Sequence, residues 1–94
     1  MIQIVGGLQD GHRRALRAGE SIVVGRTVLS DWEIEDDSQV SEQHFRITAT
    51  ATDCLLEDQA SANGTKVNGK EVRRVVLQDN DEIVAGKTQF KVQL

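Results

Sequence analysis

Scarcity is the first feature of this sequence. Of its 94 residues one is cysteine, and none is proline or tyrosine. The single Cys54 cannot close an internal disulfide, which excludes a small secreted scaffold stapled by such bridges. No apolar run approaches the ~20 residues that a membrane-spanning helix needs. Met1–Val5 alternates from the outset and has no basic stretch leading into an apolar one, so no signal peptide is expected. Basic charge is also short: 11 Lys and Arg face 15 Asp and Glu, a formal net charge of -4. That argues against sequence-independent nucleic-acid binding, which needs basic surface to replace phosphate counterions. Helical text is missing too, for no stretch of roughly ten or more residues holds an apolar face at helical spacing. What remains is a reduced, soluble, cytoplasmic domain. One core takes roughly 50–200 residues, so residues 1–94 are expected to form a single domain. The strand-like run that stops at Leu94 reads as that of a domain excised from a larger protein.

What the sequence does have is β-branched residues. Val, Ile and Thr number 11, 6 and 6, together 23 of 94. Such side chains suit a pleated, half-buried surface and pack less well along helices. Period-two runs recur at Ile2/Ile4, Ile22/Val24, Phe45/Ile47, Val75/Leu77 and Thr88/Phe90/Val92/Leu94. Turn signals separate them: Gly6-Gly7, Asp10-Gly11, Ala18-Gly19, Asn63-Gly64, Asn68-Gly69, Asp79-Asn80-Asp81 and Ala85-Gly86. The strongest hairpin signal is Asn68-Gly69, between Thr65–Val67 and Val72. Strands are expected at 1–5, 12–17, 21–25, 32–34, 44–50, 54–58, 65–67, 73–77, 82–84 and 87–93. The fold class is all-β, a sandwich of two antiparallel sheets.

Two polar connections stand out. Arg26–Ser41 is long, and its segment Asp31–Asp37 holds five acids and no base. Gln59–Gly64 is short and small. Long loops on a small sandwich commonly carry its function. At their edges lie Gly25-Arg26, where glycine allows a sharp bend at a strand exit and arginine enters the loop. Ser41-Glu42-Gln43-His44 joins the long loop to a strand, offering a hydroxyl for backbone or an anion and a ring to brace the loop. Asn63 could dock another chain's peptide group. Taken singly, each has a plainer reading: a solvated arginine, a turn serine with a structural histidine, and an asparagine stabilising its own turn.

Order and spacing change this. Val24-Gly25-Arg26, Val40-Ser41-Glu42-Gln43-His44-Phe45 and Ser61-Ala62-Asn63-Gly64-Thr65-Lys66-Val67-Asn68-Gly69 together resemble the forkhead-associated (FHA) domain. The resemblance covers nearly the whole chain. It implies an eleven-stranded β-sandwich whose loops at one end read phosphothreonine peptides, and a place in Ser/Thr kinase signalling or assembly. The expected partner is a phosphothreonine-containing protein or peptide, the kinase being involved indirectly. A phosphothreonine carries about -1.5 to -2 charge and three acceptor oxygens. Arg26 would supply charge-assisted donors, Ser41 a hydroxyl, and Asn63 would hold the ligand backbone. Gly25, His44 and Gly64 would shape and brace the loops.

Two positions depart from the family pattern and line the same site. Glu42 stands where many members carry Arg, Lys or Asn, and Ala62 where many carry Thr. They leave three readings: a weakened pocket, one tuned to a basic neighbour, or a retired pocket on a phosphate-independent scaffold. The acidic pairs do not fit a calcium loop, and His12, His44 and Cys54 lack zinc spacing, so no metal or cofactor is expected. Ser41 and His44 show no third orienting residue, so no enzyme is expected either. Cys54 and Trp32 read as core, and Arg13, Arg14 and Arg17 as a solvated strand face. The domain is expected to be a monomer, without nucleic-acid binding or membrane insertion.

Overall fold

Alternation in sequence becomes alternation in burial. Along Phe45–Ala49 the residues are buried, exposed, buried, half-buried and buried, and Ile2–Ile4 and Thr65–Val67 repeat the pattern. The computed structural model describes residues 1–5 and 9–94. The Gly6-Gly7 turn signal lies outside the described residues. Eleven strands and no helix are found among them: β1 (Ile2–Ile4), β2 (Arg13–Arg14), β3 (Ser21–Gly25), β4 (Trp32–Glu33), β5 (Phe45–Ala49), β6 (Cys54–Asp58), β7 (Thr65–Val67), β8 (Lys70–Val72), β9 (Arg74–Val76), β10 (Glu82–Ala85) and β11 (Thr88–Val92). One sheet runs β2-β1-β11-β10-β7-β8 and the other β4-β3-β5-β6-β9. All pairings are antiparallel except β3 with β4, where Val24 faces Trp32 and Gly25 faces Glu33.

The sheets meet on an aromatic stack. Phe90 of β11 packs edge-to-face on Trp32 (5.5 Å between centroids) and on Phe45 of β5 (5.4 Å). Such geometry sets a positive ring edge on a negative ring face. Ile2, Ile4, Val24, Ile34, Val40, Ile47, Leu56, Ile83 and Val92 fill the space around it. Cys54 belongs to this core, and burial pushes its thiol above the ordinary value. Trp32 is the packing anchor expected, and the Arg14 guanidinium lies 5.3 Å over its ring.

One expected strand shortens to two residues and one unexpected strand appears. The run 12–17 shrinks to Arg13–Arg14, because Glu20 accepts the Arg17 N–H at 2.7 Å and Glu20 N–H bonds back to Arg17 O. That turn takes the chain off the edge of β1. Lys70–Val72, not expected as a strand of its own, pairs with β7 through Thr65↔Val72 and Val67↔Lys70. Its residues are mostly exposed, so no apolar alternation marks it. The intervening turn is the predicted hairpin: Asn68 and Gly69 have φ of 52° and 84°, the two positive values of a type I′ turn. After Arg73 the chain crosses to the other sheet as β9.

A carboxylate ties the long connection to the framework. Asp37, buried in the β4–β5 loop, accepts Lys87 N–H and Thr88 Oγ1–H on Oδ2, both at 2.7 Å, and Gln39 N–H on Oδ1 at 3.0 Å. Burial opposes its charge, but these bonds and the Lys87 charge outweigh it and hold the carboxyl below its ordinary value of 3.8. Asp58 is likewise held low: burial opposes its charge, and donors from Ser61 and Thr65 overcome it. A depressed folded-state value gives stability that is complete above the unfolded value and lost as pH falls through the folded one. The denaturation midpoint should therefore decline as the pH falls from about 5 through and below the ordinary carboxylate value of 3.8. Asp37→Asn should show a shallower decline than the parent in urea titrations across that range.

Candidate functional site

The site grows out of the end of the β3–β5 ladder. His44 N–H bonds to Val24 O at 2.8 Å, and beyond it Arg26 N–H bonds to Ser41 O at 3.0 Å. The chains approach so closely here that a β-carbon on Gly25 would run into Glu42 O and Ser30 Oγ. Gly25 remains within β3 and its φ is not in the left-handed region. The sharp bend expected there is thus replaced by a need for room.

Each expected residue then finds a definite place. Arg26 is exposed, and its Nε donates to Val40 O at 2.9 Å. Its two terminal nitrogens make no hydrogen bond among the described residues, leaving planar donors for an outside acceptor. Ser41 Oγ accepts Ala62 N–H at 3.0 Å, so its own proton can be donated outward. Asn63 Nδ2 donates to Gln39 O at 3.0 Å. Arg26, Ser41, Ala62 and Asn63 are therefore brought together by bonds through residues 39–41. Glu42 is exposed, and its carboxylate has no partner among the described residues.

His44 joins the two loops. Its ring is fully buried, with Ser41 N–H donating to Nδ1 at 2.9 Å and Nε2 lying 2.8 Å from Gly64 O. Because Nδ1 accepts a backbone N–H, the proton of a neutral ring sits on Nε2 and is donated to Gly64 O. Gly64 owes its identity to the backbone: its φ is +79°, in the left-handed region that side chains other than glycine's rarely adopt.

Several members of this arrangement carried little signal in sequence. Asp58 Oδ1 accepts both Ser61 Oγ–H and Thr65 Oγ1–H (2.7 Å), and Oδ2 accepts Ser61 N–H at 3.1 Å, which shapes the β6–β7 loop. The Asp-x-x-Ser spacing could have suggested this turn. Gln39 contributes only a carbonyl oxygen, which any residue would supply. The acids of Asp31–Asp37 do not act as one cluster: Asp31 caps Val23 N–H at 2.8 Å, Asp36 accepts from Gln9 and Asp37 faces the β10–β11 turn. Beside Asn63 and Gly64 opens a polar concavity of about 630 Å³, edged by Glu71 and Arg73.

The family profile of the FHA domain matches residues 22–86, and the chain belongs to this family. An FHA domain-containing protein of Arabidopsis thaliana is 30% identical over 86 residues, 88% of this chain; the chain spans 22% of that protein's length. Among solved structures, an FHA domain from an analysis of phosphothreonine-dependent FHA interactions is 31% identical with a TM-score of 0.86, covering 99% of this chain and 93% of that one. The FhaA FHA domain, solved in complex with the intracellular domain of Rv3910, is 31% identical with a TM-score of 0.82, covering 96% and 94%. The FHA domain of the CT664 protein from Chlamydia trachomatis is 26% identical with a TM-score of 0.89, covering 96% and 91%.

His44→Ala should remove both ring bonds at once and leave Ser41 N–H and Gly64 O unpaired. A cost of roughly 1–3 kcal/mol is expected. The denaturation midpoint should fall, and amide exchange should quicken in both the 26–41 and the 59–64 segments. An unchanged midpoint with protected loop amides would remove His44 from this bracing role.

Proposed function

We propose that the chain is a phosphothreonine-dependent protein–protein interaction module, without enzymatic activity, serving Ser/Thr kinase signalling or assembly. The observation that carries this reading is the pairing of Arg26 with Ser41. One offers two unspent guanidinium nitrogens, and the other a hydroxyl whose lone pair is already engaged by Ala62 N–H. Both are donors, held by main-chain atoms, at one end of the sandwich. A dianionic phosphate with three acceptor oxygens suits that set. Asn63, anchored through Nδ2, keeps Oδ1 for a ligand N–H. The partner is a protein or peptide bearing phosphothreonine, met by a monomeric, cytoplasmic domain that requires no cofactor. One relative supports the ligand class: the FHA domain solved for phosphothreonine-dependent interactions. The rival is a phosphate-independent scaffold. The exposed carboxylate of Glu42, next to Ser41, and Ala62, which brings no hydroxyl beside Asn63, are the features that favour it.

Arg26→Ala should weaken phosphothreonine-peptide binding by about 10- to 100-fold, the worth of a charge-assisted contact. Ser41→Ala should cost less, and both effects should shrink with rising salt. Titration of phosphorylated and unphosphorylated forms of one peptide decides the matter. Equal binding of both forms, unaltered by Arg26→Ala, would establish the scaffold.

A second titration concerns the two unusual residues. Glu42→Arg with Ala62→Thr replaces a repelling carboxylate by five donors and adds a hydroxyl beside Asn63. Both positions are exposed. With a neutral-flanked phosphothreonine peptide, the pair should gain roughly tenfold in affinity at an unchanged melting temperature. Equal or weaker binding would mean that neither side chain faces the phosphate.

A further inference from the structure

The fold holds the three asparagines of the chain differently, although two of them read alike in sequence. Asn63 and Asn68 are each followed by glycine, and Asn80 by aspartate. Glycine has no β-carbon to shield its amide nitrogen, so that nitrogen can attack the carboxamide of the residue before it. Asn68 is tied at both ends: Nδ2 donates to Asp81 Oδ1 at 2.9 Å, and Oδ1 accepts Glu82 N–H at 3.0 Å. At Asn80 the attacking nitrogen would be that of Asp81, whose N–H is engaged by Gln78 O at 3.1 Å. Asn63 is exposed and held by one bond, from Nδ2 to Gln39 O at 3.0 Å. The Gly64 N–H makes no hydrogen bond among the described residues.

Two further features meet at the Asn63–Gly64 link. A β-carbon on Gly64 would lie 2.7 Å from Glu71 Oε1, so this carboxylate stands within about 4.3 Å of Gly64 Cα. A carboxylate so placed can take the amide proton as a general base. The polar concavity of about 630 Å³ lined by Asp58, Asn63, Gly64, Glu71 and Arg73 admits water to the same bond. A carboxamide, an unengaged N–H, a base and access for water are thus collected at one residue.

We propose that Asn63 is a self-modification site, at which deamidation assisted by Glu71 turns the carboxamide into a carboxylate and retires the phosphothreonine site. Gly64 N gives its proton to Glu71 and bonds to Asn63 Cγ. The Cγ–Nδ2 bond breaks, and Nδ2 leaves as ammonia, carrying the proton that Glu71 returns. Water then opens the cyclic imide. Addition at Cγ gives aspartate, and addition at the main-chain carbonyl carbon of Asn63 gives isoaspartate, whose main chain runs through Cγ. Water is consumed and ammonia released, with no oxidant or cofactor. Aspartate sets a carboxylate oxygen against Gln39 O, where Nδ2 had donated. Isoaspartate lengthens the main chain just before Gly64, whose carbonyl oxygen is the partner of the His44 ring. Both products add negative charge to the loop that meets Ser41 through Ala62 N–H. The chemistry stands by itself, whereas the loss of ligand rests on the phosphothreonine reading above.

The test ages the parent domain and Glu71→Gln in neutral to mildly alkaline buffer. Each asparagine is followed by peptide mass mapping, and isoaspartate by enzymatic methylation. Asn63 should convert roughly fivefold or more faster than Asn68, which has one more hydrogen bond to break. Glu71→Gln, at an exposed position, should slow Asn63 about tenfold or more and leave Asn68 unchanged. Equal rates at the two residues, or no effect of Glu71→Gln, overturns the proposal. A second arm titrates fresh parent, aged parent and Asn63→Asp with one phosphothreonine peptide and its unphosphorylated form, read by fluorescence anisotropy. Aged parent and Asn63→Asp should bind the phosphorylated peptide about tenfold or more weakly than fresh parent. Undiminished binding by fully converted protein overturns the retirement of the site. A fresh parent indifferent to phosphate, with Asn63 converting at the expected rate, overturns the phosphothreonine reading and with it the second half of the proposal.

Discussion

One imidazole ties the β4–β5 loop to the β6–β7 loop. His44 receives a backbone proton from Ser41 on one nitrogen and donates its own to Gly64 on the other, inside a site closed to water. A buried ring with an unpaired nitrogen would cost about 1–3 kcal/mol, so the pairing has to be complete. Among the described residues no buried side-chain polar atom lacks a partner. The loop that carries Ser41 and the loop that carries Asn63 are thereby fixed in relation to one another before any ligand arrives. Pre-ordering of this kind lowers the entropy that binding would otherwise lose.

The brace works because it stands on the core. Phe45, the next residue, is wedged against Phe90 of the opposite sheet, and the His44 backbone is held by Val24 O and by Gln59 N–H. Side chains alternate along a strand, so seating Phe45 inward fixes where the chain immediately before it can lie. Asp37 completes the restraint from the far side of the loop, tying it to the turn between β10 and β11. Acid would therefore loosen the loop from the framework, while the aromatic stack would be untouched by it.

The sandwich and its site were legible in sequence to different depths. Alternating runs such as Phe45–Ala49 betrayed their strands because one face of each is buried. Lys70–Val72 did not, since an edge strand with exposed side chains leaves no period-two trace. Asn68-Gly69 was readable because few residue pairs tolerate two successive positive φ values. Gly25 was noticed for the wrong reason: its glycine serves the approach of Glu42 O from a distant part of the chain, which no local pattern encodes. The family motif drew Arg26, Ser41, His44 and Asn63 into one group. Their partners Val40 O, Gln39 O and Gly64 O are backbone atoms, and a carbonyl has no letter in a sequence.

That reliance on carbonyls and amides has an evolutionary side. The turn at Thr27–Ser30 hangs on the oxygen of residue 42, not on its carboxylate, and Ser41 is met by the amide of residue 62, not by its methyl group. The side chains at 42 and 62 can therefore drift through many chemistries without disturbing the scaffold that presents them. Single substitutions at either position would change the chemistry offered at this surface while copies of the gene keep the same fold.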